Sequence, residues 1–419
     1  MKIKTKKLSY DEVMHLPRPE MKPPKKPNRF LSWIFRLAST PDLRDVAFTY
    51  TTKNMEAAGD GPWLIFMNHC SFLDIEIVNK IMYPKPFSIV CTSDGFVGKE
   101  WLMRLAGCIP TKKFTSDINL FSNILYAIKE NKSSVLMYPE ATYSFDGRTA
   151  AFQKGIGMIL KRIGVPVVMI TTEGSFTREP LYNGLQKRKV KVNATVECLF
   201  SPDELKKASL TEIDEILDNA FNLDYFKWQV ENKVATTEAF RADHLNRVLY
   251  KCANCGMEGM MEGKGITLKC KKCGKEYEMD IYSCLHAKDG NTRFERIPDW
   301  YDWERDEIRK EIKDGTYSLS VPVDIAIMVD YKAIYKVGSG ILRHNLGGFV
   351  LDGCDGKLHY EQSTNAQYSV YSDYFWYEIG DVICIGDSDC QYYCFPKEGD
   401  VVAKTRMAVE ELYKKTYTR

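Results

Sequence analysis

Between residues 46 and 240, short apolar runs alternate with stretches in which apolar positions recur every three or four residues. "WLIFM", "FSIVCT", "SVLMYPE", "PVVMITTEG" and "KVNATVECLF" have the length and make-up of strands, and the turn signal "GDGP" precedes the first. "FSNILYAIKEN" and "FQKGIGMILKRIG" carry the helical period, the second ending at Gly164 before Val165-Pro166. Strands alternating with helices predict an α/β layered sheet with flanking helices. Upstream, "RFLSWIFRLAST" sets Phe30, Leu31, Trp33, Ile34, Phe35 and Leu37 around a short helix with Arg29 and Arg36 at its edges. Downstream, "SPDELKKASLTEIDEILDNAFNLDYFKWQVEN" reads as helical. "TYSLSVPVDIAIMVDY" and "YSVYSDYFWYEIGDVICIG" belong to a β-rich domain closed by the helix "VVAKTRMAVEELYKK". The pattern divides the chain into residues 1–45, an α/β domain at 46–240, a small Cys-rich module at 248–282 and a β-rich domain at 283–419.

Composition changes this picture at the start of the chain. The formal net charge is only +2 over 419 residues, which speaks against nucleic acid as a partner. Residues 1–36, however, hold ten Lys/Arg against three acids. A basic, Pro-rich stretch followed by an aromatic and aliphatic helix predicts contact with an anionic membrane surface, each basic residue adding about 1 kcal/mol. A helix docked on the protein's own core is the other reading. The basic start runs into "LSYDEVMHLPRPE" rather than an apolar stretch, so no secretory signal is expected, and no run approaches the ~20 apolar residues of a membrane span. The thirteen cysteines are an odd number and read as reduced thiols and metal ligands. The expectation is a cytoplasmic protein, peripheral on the inner face of the cytoplasmic membrane.

The first candidate chemistry is "FMNHCSFLD", residues 66–74, where His69 and Asp74 lie five positions apart just past a strand. A polar pair at a strand end sits where α/β folds build sites. Alternatively, His69 packs and Asp74 caps the next helix. Three companions follow in order: "GCIPTKK", "MYPEATYSFDGRTAAFQKG" and "RIGVPVVMI". The series resembles the glycerolipid acyltransferase family, whose blocks run N-H-x4-D, G-x-I-F-x-x-R, F-P-E-G-T-R-S and a V-P-V-like strand. Asn68, His69 and Asp74 match the first block, and Gly107 and Ile109 the second. Pro139, Glu140, Thr142 and Ser144 match the third, and Val165, Pro166 and Val167 the fourth. The likeness covers roughly residues 45–215.

The resemblance implies an O-acyltransferase acting on a lysophospholipid, most closely 1-acylglycerol-3-phosphate, with acyl-CoA or an acyl-carrier-protein thioester as donor. Attack by an alcohol on a thioester needs a base, and an imidazole with pKa near ~6.5 suits neutral pH. His69 takes that role, and Asp74 orients it and stabilises the imidazolium. Cys70 next to the histidine raises a nucleophile mechanism, which direct transfer makes unnecessary. Asn68, Glu140 and Thr142 are carried over as acceptor-site residues, with Lys112, Lys113, Arg148 and Lys154 as cations near the acceptor's phosphate. The chain departs from the family where the acceptor would be gripped: Lys113 and Tyr143 stand where the blocks carry arginine, and Ala141 where the third carries glycine. Lysine keeps the charge but loses the bidentate fork, and tyrosine loses the charge. Transfer to a different lipid hydroxyl, or an inactive binding module acting through its C-terminal half, are the alternatives.

The second candidate is a metal site. Cys252-x2-Cys255 and Cys270-x2-Cys273 are fourteen residues apart, with Gly256 and Gly274 following each pair. Two such knuckles supply four thiolates for structural Zn2+ in a zinc ribbon, although the spacer is slightly shorter than usual. A module this small needs the metal to hold itself together.

Overall fold

The computed structural model describes residues 2–114, 118–150, 152, 155–184 and 186–417. After a short strand β1 (Thr5–Lys7), the chain builds a seven-stranded sheet from β2 (Thr49–Lys53), β3 (Leu64–Met67), β4 (Phe87–Thr92), β5 (Cys108–Thr111), β6 (Ser134–Met137), β7 (Val167–Glu173) and β8 (Asn193–Phe200). The order is β2-β8-β7-β3-β6-β4-β5, and every pairing is parallel except β7 with β8. The central strand β3 is buried at all four positions, as expected of an apolar run covered by helices on both faces. Ile65 and Met67 face a core with Leu73, Ile77 and Val78 of the helix Leu73–Met82. Leu64 and Phe66 face the other core, with Ile124, Leu160, Ile213 and Leu217 of the helices Ile118–Lys129, Ile156–Ile163 and Leu210–Ala220.

The five strands read from the sequence all form, and β2 and β5 join them at the sheet's two edges. The helix read at 152–164 begins later, at Ile156, because Gly155 takes φ +84°. The long helical stretch after β8 is three helices, two of them started by capping boxes, Ser201 with Glu204 and Ser209 with Glu212.

The Cys-rich module is an antiparallel sheet of β9 (Met261–Lys264), β10 (Thr267–Cys270), β11 (Glu276–Met279) and β12 (Leu285–Ala287), in the order β12-β11-β10-β9. A helix Ile297–Lys313 follows, packed by Trp300 against Tyr277 of the module. The C-terminal sheet contains β13 (Ser318–Met328), β14 (Ile334–Asn345), β15 (Gly348–Gly353), β16 (Leu358–Ser363), β17 (Tyr371–Trp376), β18 (Gly380–Gly386) and β19 (Gln391–Pro396), in the order β16-β15-β14-β13-β19-β18-β17. The helix Val402–Tyr417 closes it. Strand β1 pairs in parallel with β14, so residues 5–7 belong to this sheet. One hydrophobic core runs from Cys70 and Phe145 of the α/β domain through Trp300 to Tyr374 and Met407. The C-terminal half is therefore packed on the domain that carries His69.

Candidate active site and four-cysteine centre

Strand β3 delivers Asn68 and His69 to the carboxyl edge of the sheet. Asn68 is fully buried and ties that edge to β7: its Oδ1 accepts the Thr172 amide (2.8 Å), and its Nδ2 donates to the Thr172 hydroxyl (3.0 Å) and the Tyr225 hydroxyl (2.6 Å). All of its hydrogen bonds serve to anchor the turn. The chain then enters the helix Leu73–Met82, whose first turn contains Asp74. Asp74 Oδ2 accepts from the amides of Cys70 (3.0 Å) and Ser71 (3.1 Å) and lies 3.0 Å from His69 Nδ1. An ionised carboxylate can only accept, so the 3.0 Å contact puts the His69 proton on Nδ1 and leaves the Nε2 lone pair unprotonated.

The imidazole is held from both faces. Tyr138 and Tyr143 each stack on it with ring centres 4.0 Å away, and its side chain is 17% exposed. Burial pulls the His69 pKa below 6.5; the hydrogen bond and charge of Asp74 oppose this, and Lys113 adds to the lowering. Glu140 is completely buried and spans the turn, accepting the His69 amide on Oε1 (3.0 Å) and the Ala150 amide on Oε2 (2.7 Å). Its burial pushes its pKa up to about 8. Ser144 donates its amide to the His69 carbonyl (3.2 Å), so the loop after β6 frames the histidine by backbone contacts as well. Gly147 in that loop adopts φ +78°, and a Cβ there would lie 2.5 Å from the Phe226 ring. Burial pushes the Cys70 thiol well up, the reverse of what an attacking thiolate needs.

The remaining residues named from the sequence divide. Thr142 is buried in the same loop, its hydroxyl 3.5 Å from the Tyr143 carbonyl. Lys113 lies 4.3 Å from the Tyr371 ring of the C-terminal sheet, and burial pulls its pKa down against the charges of Asp373 and Asp94. Lys112 turns the other way, bonds to the Ser388 carbonyl and lines a cavity of about 260 Å³ with Arg18, Lys22 and Arg104. Arg148 forms a fork on Asp302 (2.7 and 2.8 Å) and pairs with Asp146 (2.6 Å), a bridge to the helix Ile297–Lys313. Lys154 lies outside the described residues.

Several contributors escaped the sequence reading. Tyr138 and Tyr143 lie within the quoted "MYPEATYS", but nothing in the string says that they stack on His69. Asp94 accepts from the Tyr371 hydroxyl (2.9 Å) and the Trp376 indole (3.2 Å), and Arg406 Nη1 donates to the Tyr143 carbonyl (3.4 Å). Such pairings join residues up to 282 positions apart and leave no local pattern.

In the four-cysteine cluster, Cys252 and Cys273 Sγ lie 3.8 Å apart, as do Cys255 and Cys270, and all four sulfurs fall within 4.8 Å of one another. A tetrahedron with Zn–S bonds of about 2.3 Å has S–S edges of about 3.8 Å, so the donor set and spacing fit zinc.

Residues 48–173 match the model of the acyltransferase family, a stretch that runs from β2 to β7 and includes His69 and Asp74. The chain is similar to a chloroplastic 1-acyl-sn-glycerol-3-phosphate acyltransferase of Brassica napus, 32% identical over 28% of this chain and 35% of that one. A 1-acyl-sn-glycerol-3-phosphate acyltransferase of Chlamydomonas reinhardtii is 28% identical over 42% of this chain and 52% of its own length. The chain thus spans about a third to a half of the length of these curated relatives. A solved structure, the 1-acyl-sn-glycerophosphate (LPA) acyltransferase PlsC of Thermotoga maritima, aligns with 45% of this chain and 80% of that chain at 17% identity, with a TM-score of 0.35.

Proposed function

We propose that the protein transfers a fatty acyl group from an acyl thioester to the hydroxyl of a lysophospholipid, with 1-acylglycerol-3-phosphate the leading acceptor. The observation that carries this is the His69–Asp74 pair, 3.0 Å apart, at the carboxyl edge of an acyltransferase domain. In this reading Nε2 takes the proton of the acceptor hydroxyl as its oxygen attacks the thioester carbonyl. The tetrahedral intermediate then expels the thiolate, which receives that proton from the imidazolium; an ester has formed and a thioester has broken. Asp74 holds the tautomer throughout. The names of the relatives support the acceptor class, as does Lys113 near the histidine.

Two accessory assignments belong to the same reading. Zn2+ held by Cys252, Cys255, Cys270 and Cys273 fixes the ribbon fold and stands apart from the acyl chemistry. The protein works peripherally at an anionic bilayer, on the cytoplasmic face. In support, the helix Arg29–Asp45 exposes Phe30, Trp33, Ile34 and Leu37 beside a basic stretch, and Trp101 stands 70% exposed. No helix among the described residues is long and apolar enough to cross a membrane.

The test is thiol release from acyl-CoA in the presence of anionic vesicles and lysophosphatidate, comparing the parent with His69→Ala. Acceptor-dependent release that falls by about 10²–10⁴ in the variant is the expected result. Equal release by both proteins would rule out His69 as the base.

A further inference from the structure

The groups facing His69 are Asp74 from the following helix, Cys70 beside it, Lys113 after β5, and Tyr138, Glu140 and Tyr143 from the loop after β6. Of these, Tyr143 is held through a part of the chain 263 positions further on. Its carbonyl accepts from Arg406 Nη1, and the Arg406 guanidinium also lies 4.4 Å from the centre of the Phe145 ring two residues along. Arg406 is 4% exposed and cannot swing freely. Its Nε is 3.3 Å from Glu410 Oε1, and Glu410 in turn takes Arg305 (2.7 Å) and the Ser369 hydroxyl (2.9 Å). The helix Val402–Tyr417 is fixed again by Arg309 on Glu411 (2.8 Å).

We propose that Arg406 is a positioning residue for the His69 chemistry: the C-terminal helix uses its guanidinium to hold residues 143–145 so that the Tyr143 ring keeps one face of the imidazole covered. Its kinetic consequence rests on the acyl-transfer reading, whereas its effect on the ring does not. A stacked tyrosine excludes water from the imidazole and keeps it in line with Asp74. When the clamp is released, water reaches the ring, the burial that lowers the His69 pKa is relieved, and the base loses alignment with an incoming hydroxyl. Misplacement of this kind lowers turnover more than it weakens substrate binding.

The experiment uses full-length protein with ring-labelled histidine. The His69 signals are assigned by their loss in His69→Ala, and each variant is titrated by nuclear magnetic resonance alongside thiol-release kinetics. In Arg406→Gln the His69 midpoint should rise from below 6.5 toward 6.5, and kcat should fall about tenfold or more with KM nearly unchanged. Arg406→Lys, which retains a charged donor, should recover most of both. A wild-type midpoint in Arg406→Gln overturns the proposal. So does a loss of rate in that variant without movement of the midpoint, which would mark a role in folding alone. Should Arg406→Gln fail to fold, Tyr143→Ala and Tyr143→Phe replace it: the first should raise the midpoint and the second leave it, and equal midpoints overturn the proposal. If the parent releases no thiol with any acceptor, the acyl-transfer reading falls, and the histidine titration still decides whether Arg406 positions the ring.

Discussion

Asp74 commits one oxygen to His69 and two backbone amides, while its other oxygen, Oδ1, is buried without a protein partner. Asp74→Asn should therefore keep the turn but offer Nδ1 the wrong chemistry. We expect kcat to drop by about 10³–10⁴ with the thermal midpoint little changed, measured by thiol release and by circular dichroism on heating. Ala141 is a second residue with a definite cost, since it adopts φ +54°, where a Cβ crowds the backbone. Ala141→Gly should raise stability by about 1 kcal/mol in urea unfolding. Under the proposed acyl transfer His69 must be neutral to take a proton, so the acid limb of kcat/KM should have its midpoint below 6.5. That His69, Asp74 and Glu140 come together was legible because each occupies a fixed place in a short string. Arg148 was named as a cation near phosphate, yet the structure engages it with Asp146 and Asp302, because a charge in a string does not reveal which carboxylates the fold will bring to it.

Among the elements, strands in the interior of the sheet were the most legible, since β3, β4, β6 and β7 are short apolar runs with turns at their ends. The edge strand β2, "TYTTK", is exposed at every position and carries no apolar signal, so it went unread. The helix Ile297–Lys313 was also absorbed into the β-rich domain: it has several buried positions, but their companions lie on other segments. In the C-terminal sheet, β14 buries His344 against Phe349, with Nδ1 2.9 Å from the Tyr317 hydroxyl. Burial drives the His344 pKa down to about 3, so the unfolded chain binds more protons than the folded one between that value and 6.5. Stability should fall as pH drops through that window. His344→Phe should flatten the fall, at a cost of about 1 kcal/mol at neutral pH for the lost hydrogen bond, as read by urea unfolding at several pH values.

For the whole molecule, the sequence suggested four consecutive pieces, whereas the core joining Phe145, Trp300 and Met407 makes the α/β domain and its successors mutually dependent. Residues 2–240 expressed alone should bind a hydrophobic dye and lose cooperative unfolding, since Phe145, Phe176 and Tyr225 would lose part of their cover. The zinc reading has a matching consequence. Lys251, beside the first ligand, pairs with Glu307 (3.3 Å) and Glu311 (3.9 Å) of the helix that carries Asp302. Chelation under reducing conditions should therefore melt the ribbon and also lower thiol release, with Cys270→Ser behaving as the chelated protein does. The cysteine spacing announced the four-sulfur cluster of the small sheet. The attachment of that module to the loop after β6 through Asp302 and Arg148 depends on tertiary packing, which no spacing encodes.

The pairing of Thr5 with Ile334 sets a timetable. On a ribosome adding about 5–20 residues per second, roughly a quarter of a minute to a minute separates the emergence of those two residues. Throughout that interval β1 has no partner strand, and the basic segment behind it is free to meet whatever surface is nearby. The nascent chain thus displays its most cationic stretch well before its last sheet can form.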